Sequence, residues 1–370
     1  MRILYVTTVS STMNAFFKAH IKMLVDNRHR VDLACNDIAR PIDEFYKTLG
    51  CQYYHIDFSR SPLSTGNIKA FAQLKKVVKE GHYDIVHCHT PNAAVITRLV
   101  CRSFRKNGLK VFYTAHGFHF FKGAPKLNWL VFYPIEKFCS RFTDKLITIN
   151  KEDYNLAKTK FHAKEVHYVP GVGIDLSRFE NVEVDRAVKR REIGVPEDAF
   201  LLLSVGELNE NKNHQVIIKA MAKLNNAKVH YAIAGVGDKR DYLFDLAKQL
   251  GVAEQLHLLG FRKDVPELNH SADVFCFPSL REGLGLSAIE AMACGLPIIT
   301  SNVHGINDYS IDEVTGFKCP SLDEEQFAKC IDYLMNNRTL KEAIGQTNVS
   351  FVQKYNVHNI VSIMKEIYQA

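Results

Sequence analysis

Twice along its length the chain runs through a series of short, densely apolar, β-prone stretches separated by helix-like ones. The first series is RILYVTTV, RVDLACN, QYYHIDF, DIVHCHT, KVFYTAHG, KLITIN and VHYVPG. After Phe179 it restarts as AFLLLSVG, VHYAIAGVG, LHLLGF, ADVFCFPS, PIITS and GFKC, with segments such as NIKAFAQLKKVVKEG supplying the helical pattern in between. Strands that are apolar on successive residues are covered on both faces, and helices on both sides of a parallel sheet provide that cover. Two series therefore predict two Rossmann-like parallel-sheet domains, for which 370 residues give ample core. Pro and Gly interrupt the pattern in VPGVGIDLSRF, which places the joint there. The expected division is 1–172, 173–352 and a terminal helix in 353–370 that packs back on the first domain. Ligands of open parallel sheets bind beyond the carboxyl ends of the strands, so the site is expected in a cleft where the domains face each other.

Several function classes are disfavoured. No run approaches the roughly 18 apolar residues of a membrane-spanning helix, and MRILYVTTVS reads as a buried strand rather than a leader. Nine cysteines without CxxC spacing point to reduced thiols and a cytoplasmic setting. No nucleic-acid-binding motif is present. The charge is uneven: through Glu180 there are 27 Lys and Arg against 15 Asp and Glu, and afterwards 20 against 25. A basic first half suits an anionic membrane surface or a phosphorylated acceptor, or is an ordinary solvated surface. Within it, LNWLVFYPIEKFCSRF follows Lys122 and Lys126. That stretch either dips into a membrane interface or forms a core helix with Pro134 in its first turn.

The segment PSLREGLGLSAIEAMACGLPIIT, residues 278–300, holds a chemical oddity. Its helical part is apolar on nearly every side yet carries Glu290, with Glu282 eight positions upstream. A buried carboxylate needs hydrogen-bond donors, from an Arg or Lys of the protein or from a ligand. Glycines at 283 and 285 let a ligand approach the backbone, and the helix N-terminus suits an anion. Eight helical positions would separate the backbones by about 12 Å. A glycosidase pair sits at roughly 5–9.5 Å, so the spacing favours one long ligand held at two places, such as a nucleotide sugar.

Other signals are weaker. AGVGDKRD has Arg where a dinucleotide fingerprint has its third glycine, and reads as a turn. His87, His89, His116 and His119 invite a zinc reading, but no carboxylate second shell accompanies them. No DxD occurs, so no metal grip on a diphosphate is expected.

At these residues the chain resembles the retaining glycosyltransferases of family 4, whose fold is GT-B. REGLGLSAIEAMACGLPII matches that family's E-x7-E segment, and TAHGFHF, VPGVGIDLSRF, SVGELNENKNH, IAGVGD, GFRKDVPEL, ADVFCFPS and GINDY…TGF extend the likeness from end to end. FHFFKGAPKLNWLVFYPIEKFCSRFTDKLITINKEDY is similar to enzymes of bacterial capsule and exopolysaccharide assembly. The resemblance implies catalytic roles for His116, Glu282 and Lys212. Glu282 would meet donor-sugar hydroxyls and positive charge at the anomeric carbon, Lys212 the donor diphosphate, and His116 the donor sugar. Glu290 would accept from the ribose, while Gly206, Gly285, Leu286 and Ser287 would lie along the diphosphate, and Gly260, Phe261 and Arg262 by the base. Two departures stand out. Glu207 replaces the family's arginine, and TTVSSTMNAFF replaces a Gly-Gly pair, leaving Ser10, Ser11 and Thr12 as hydroxyl donors.

The function implied is metal-independent transfer, with no cofactor, of a hexose or N-acetylhexosamine from a nucleotide diphosphate, UDP for preference. The acceptor implied is a lipid-diphosphate-linked saccharide at the inner membrane face. A GT-B epimerase or phosphorylase and a non-catalytic nucleotide-sugar-binding subunit are the alternatives.

Overall fold

The computed structural model describes residues 1–59, 61, 64–180 and 182–369. They form two compact units, Met1–Gly173 with Val357–Ala370, and Ile174–Asn356. The strands of the first are β1 (Arg2–Val9), β2 (Arg30–Asn36), β3 (Gln52–His55), β4 (Ile85–His89), β5 (Lys110–Ala115), β6 (Lys145–Thr148) and β7 (Glu165–Tyr168). Those of the second are β8 (Phe200–Val205), β9 (Val229–Ala234), β10 (Leu256–Gly260), β11 (Val274–Phe277), β12 (Ile298–Ser301) and β13 (Gly316–Cys319). Among the described residues the sheet orders are β3-β2-β1-β4-β5-β6-β7 and β10-β9-β8-β11-β12-β13, and neighbouring strands run parallel. These are two Rossmann-like domains, the make-up of the GT-B class.

The apolar runs explain the architecture. Ile3 to Val6 on β1 and Leu201 to Leu203 on β8 are fully buried, because helices cover both faces of the central strands. In each sheet the strand order reverses beside the first strand of the series, between β1 and β4 and between β8 and β11. Loops leaving such a pair diverge and open a crevice at the strands' carboxyl ends. The terminal helix Val357–Gln369 belongs to the first unit, where Ile360, Met364, Ile367 and Tyr368 share a core with Ile3 and Tyr5. Lys145 Nζ donates to the Ile367 carbonyl at 2.8 Å, and His87 bonds the Tyr368 hydroxyl.

Pro134 is not in a first turn. The helix that holds it spans Lys126–Ser140, so the proline sits inside. Nor is this a core helix: Leu127, Leu130, Val131, Ile135 and Phe138 are exposed, and Glu136, Cys139 and Ser140 are buried.

Candidate active site

The second domain's reversal point gathers the charged residues. After β8 the chain turns through Gly206–Asn213, and after β11 through Pro278–Gly285. Since β8 and β11 are paired, both loops leave the same edge of the sheet. They are stitched together: the Leu280 amide donates to the Asn211 carbonyl at 2.8 Å, and Asn211 Nδ2 to the Arg281 carbonyl at 3.0 Å. Asn213 Nδ2 donates to the carbonyls of Pro278 and Ser321. Asn209 caps the short turn around Lys212 by accepting from its amide at 3.0 Å. Lys212 Nζ thus lies 2.6 Å from Glu282 Oε1 and 4.8 Å from the centre of the Phe277 ring. Its stem passes over Gly206, and a Cβ on Gly235 would fall 1.8 Å from the Gly206 carbonyl oxygen. The glycine of AGVGD therefore lets the backbones after β8 and β9 touch, which is a packing role and not a dinucleotide fingerprint.

The helix beyond Glu282 spans Leu286–Ala293, with Gly285 as its N-cap at φ +90°. Residues 282–285 are not helical, so the rise-per-residue estimate holds only from Leu286 onward. A side chain at Gly285 would meet the Phe277 ring at 2.4 Å and Tyr309 Oη at 2.8 Å. The first-turn amides of Leu286 and Ser287 have no intrahelical acceptor and lie at the positive end of the helix dipole. Glu290 stands one turn further on. Among the described residues its carboxylate makes no hydrogen bond or ion pair. Burial pushes its pKa up, and Arg178 exerts the opposing pull.

Arg262 follows β10, two strand positions from β8, or roughly 10 Å. Its guanidinium is held by Asp264 and Glu192. Phe261 is 72% exposed and unconstrained by packing. Glu207 is exposed and accepts from Asn209 Nδ2 at 2.8 Å, so this carboxylate is turned to an amide, not to a cation.

In the first domain His116 follows β5. Its Nε2 lies 3.1 Å from His89 Nδ1, and Phe17 packs against the ring. Burial pulls its pKa down to about 4, so the imidazole is neutral at pH 7. His87 and His89 share one face of β4, 4.2 Å apart, and burial depresses both. His119 lies against the Phe132 ring instead, with centroids 4.8 Å apart and planes tilted by 32°, and among the described residues no three His, Cys, Asp or Glu side chains are grouped to hold a metal. Ser10 begins a helix and spends its hydroxyl on the Arg40 carbonyl.

Sequence reasoning missed Asn209, Asn211 and Asn213, whose signal was their alternation around Lys212 in NENKN. It also gave no role to Tyr309 of GINDY, whose hydroxyl is buried beside Gly285 without a hydrogen-bond partner among the described residues.

The family pattern for glycosyl transferases group 1 matches residues 185–350, and the glycosyl transferase 4-like pattern matches residues 2–150. EpsD of Bacillus subtilis (strain 168), named as a glycosyltransferase, is 36% identical over 375 residues, covering 100% of this chain and 96% of its own. The chain is a family 4-like glycosyltransferase. An Escherichia coli relative of this enzyme, UDP-Gal:alpha-D-GlcNAc-diphosphoundecaprenol alpha-1,3-galactosyltransferase, is 26% identical over 94% of this chain and 90% of its own. In fold, the glycosyltransferase is similar to Anabaena HepE, crystallised with UDP and glucose, at a TM-score of 0.81 and 19% identity over 100% and 99% of the two chains. Sucrose-phosphate synthase from Thermosynechococcus elongatus gives the same TM-score at 19% identity over 100% and 98%.

Proposed function

We propose that this glycosyltransferase moves a hexose or N-acetylhexosamine from a UDP-sugar to a lipid-diphosphate-linked saccharide, with retention of anomeric configuration, in surface-polysaccharide assembly. The observation that carries the reading is Lys212 and Glu282 in contact at 2.6 Å beside the free first turn of Leu286–Ala293, with unpartnered Glu290 on the same helix. Adjacent opposite charges match the charge separation of the reaction, an anionic phosphate leaving a carbon that becomes positive. Lys212 and the amides of Leu286 and Ser287 receive the diphosphate, with Gly206 and Gly285 keeping the backbone open to it. Glu282 faces the sugar, and Glu290 takes hydroxyl donors from the ribose, the group that relieves its burial. The same reading gives Phe261 and Arg262 backbone contacts to the base. For His116 it gives a hydrogen bond to sugar hydroxyls from a neutral imidazole. No step draws on a metal or cofactor. Retention follows from a front-face path in which the departing phosphate accepts the acceptor's proton.

The names of relatives support the substrates. The Escherichia coli relative's donor is UDP-galactose and its acceptor a diphosphoundecaprenol-linked sugar, and HepE was crystallised with UDP. With such an acceptor the enzyme would work at the cytoplasmic face of a membrane. No helix of the described residues is long and apolar enough to cross one. Exposed Leu127 and Leu130 beside Lys122 and Lys126 provide the apolar and cationic contacts of a peripheral surface.

The test is a panel of nucleotide sugars scored for nucleoside diphosphate release with and without lipid-linked acceptors, the product's linkage being read by NMR. Acceptor-dependent release from a UDP-sugar with an α-linked product is expected. Product formation without acceptor, or an inverted linkage, would refute the reading.

A further inference from the structure

Directly after His116 the chain borders a cavity of about 420 Å³ inside the first domain. Its walls are Val95 and Ile96 of the helix Pro91–Cys101, Phe118 and Phe120 of the TAHGFHF segment, and Phe132 and Ile135 of the helix Lys126–Ser140. Asn92, Asn67 and Glu136, polar members of the lining, are spent on partners within the protein. Asn92 Nδ2 donates to the Ser59 carbonyl at 3.0 Å, and Asn67 Nδ2 to the Ser61 carbonyl at 3.0 Å. Glu136 is neutralised by Arg98 at 2.8 Å, whose guanidinium lies over the Tyr113 ring. A saccharide needs a set of unspent donors and acceptors, whereas this lining presents hydrocarbon.

The cavity opens towards the exposed apolar face. Val131 and Ile135 line it and are also 40% and 42% exposed, continuous along the helix with Leu127 and Leu130. Lys122 and Lys126, both exposed and with side chains free of partners among the described residues, lie next to the lining in the chain. Hydrocarbon walls with flanking cations match a chain that ends in phosphates.

We propose that this cavity holds the isoprenoid chain of the lipid-linked acceptor next to its diphosphate, with Lys122 and Lys126 supplying cations for the phosphates. The proposal rests on the acceptor reading above and assigns that acceptor's lipid, not its sugar, to a built site.

Trp129 is the only tryptophan of the chain and packs at 5.6 Å from Phe120, so its fluorescence reports on the cavity. The full-length protein is titrated with farnesyl diphosphate and, separately, with inorganic diphosphate. Farnesyl diphosphate is expected to bind at least about tenfold more tightly, since its hydrocarbon is what the cavity buries. Val95→Phe fills the space and Ile135→Asp charges the rim, and each should weaken that binding about tenfold or more and raise KM for a lipid-linked acceptor. Ile135 is exposed enough for its variant to fold even if Phe overfills position 95. Wild-type binding in both variants, or no preference over inorganic diphosphate, overturns the proposal. Vesicles of phosphatidylglycerol and phosphatidylethanolamine form a further arm. Vesicle binding that Val95→Phe weakens would reassign the cavity to a phospholipid acyl chain and overturn it equally. Absence of sugar transfer to any lipid-linked acceptor by the wild type would overturn the acceptor reading instead, whatever the fluorescence shows.

Discussion

Glu290→Gln should make the enzyme a poorer binder and a no less stable protein. The carboxylate is largely withdrawn from water, finds no hydrogen-bond donor among the described residues, and has its pKa raised by burial. The folded state therefore prefers the protonated acid. Below the unfolded-state pKa, near 4.3, both states hold the proton and the charge costs nothing. As pH rises through the folded-state pKa the charged form must be buried, and wild-type stability falls relative to the Gln variant. The variant's advantage should thus be near zero at low pH and largest at neutral pH, as urea denaturation across that range would show. Binding should move the other way. A hydrogen bond to a charged group contributes about 1.5–3 kcal/mol, so losing the carboxylate should raise the Kd for UDP by about 10- to 100-fold. Calorimetry with UDP and its 2′,3′-dideoxy counterpart adds a second readout, because the wild type's preference for UDP should shrink in the variant. A Gln variant that melts several degrees lower and binds UDP like the wild type would refute the reasoning and make Glu290 structural.

Further outcomes are expected. Lys212→Ala should lower kcat/KM for nucleoside diphosphate release by about 10²–10³-fold. Adding Glu282→Gln should restore part of the stability lost by leaving that carboxylate without its cation, measured by urea denaturation. Gly285→Ala imposes φ +90° on a residue with a side chain and presses its Cβ to within 2.4 Å of the Phe277 ring. Destabilisation of about 1–3 kcal/mol should appear on denaturation, together with weaker donor binding by calorimetry. Burial holds His20, His87, His89 and His116 below their usual pKa, so folding favours the neutral form of each. Their contribution is complete above pH 6.5 or so and is lost as pH falls towards their folded values, at up to about 1.4 kcal/mol per pH unit for each. His116→Phe should flatten part of that slope in denaturation curves taken between pH 7 and pH 4.

Much of this protein is legible in its sequence because local chemistry fixes it. Runs such as AFLLLSVG and ADVFCFP are apolar on successive residues, which only a strand covered on both faces tolerates, so two parallel sheets follow without any knowledge of contacts. The E-x7-E segment likewise shows its helix, its glycine entry and its misplaced charge in one short stretch. What the sequence leaves open is which distant groups meet. Lys212 and Glu282 are 70 residues apart and lie 2.6 Å apart because β8 and β11 are adjacent at the point where strand order reverses. Arg262, equally cationic on paper, leaves a strand nearer the sheet edge and is claimed by Asp264 and Glu192. Pro134, which on pattern alone fits a helix's first turn as well as an irregular surface segment, sits inside a helix many of whose apolar residues are exposed, because local pattern cannot say which face a helix buries. Periodicity and turn chemistry act between neighbours along the chain. Pairing of charges and exposure of a face are set by sheet order, which exists only once the whole chain has packed.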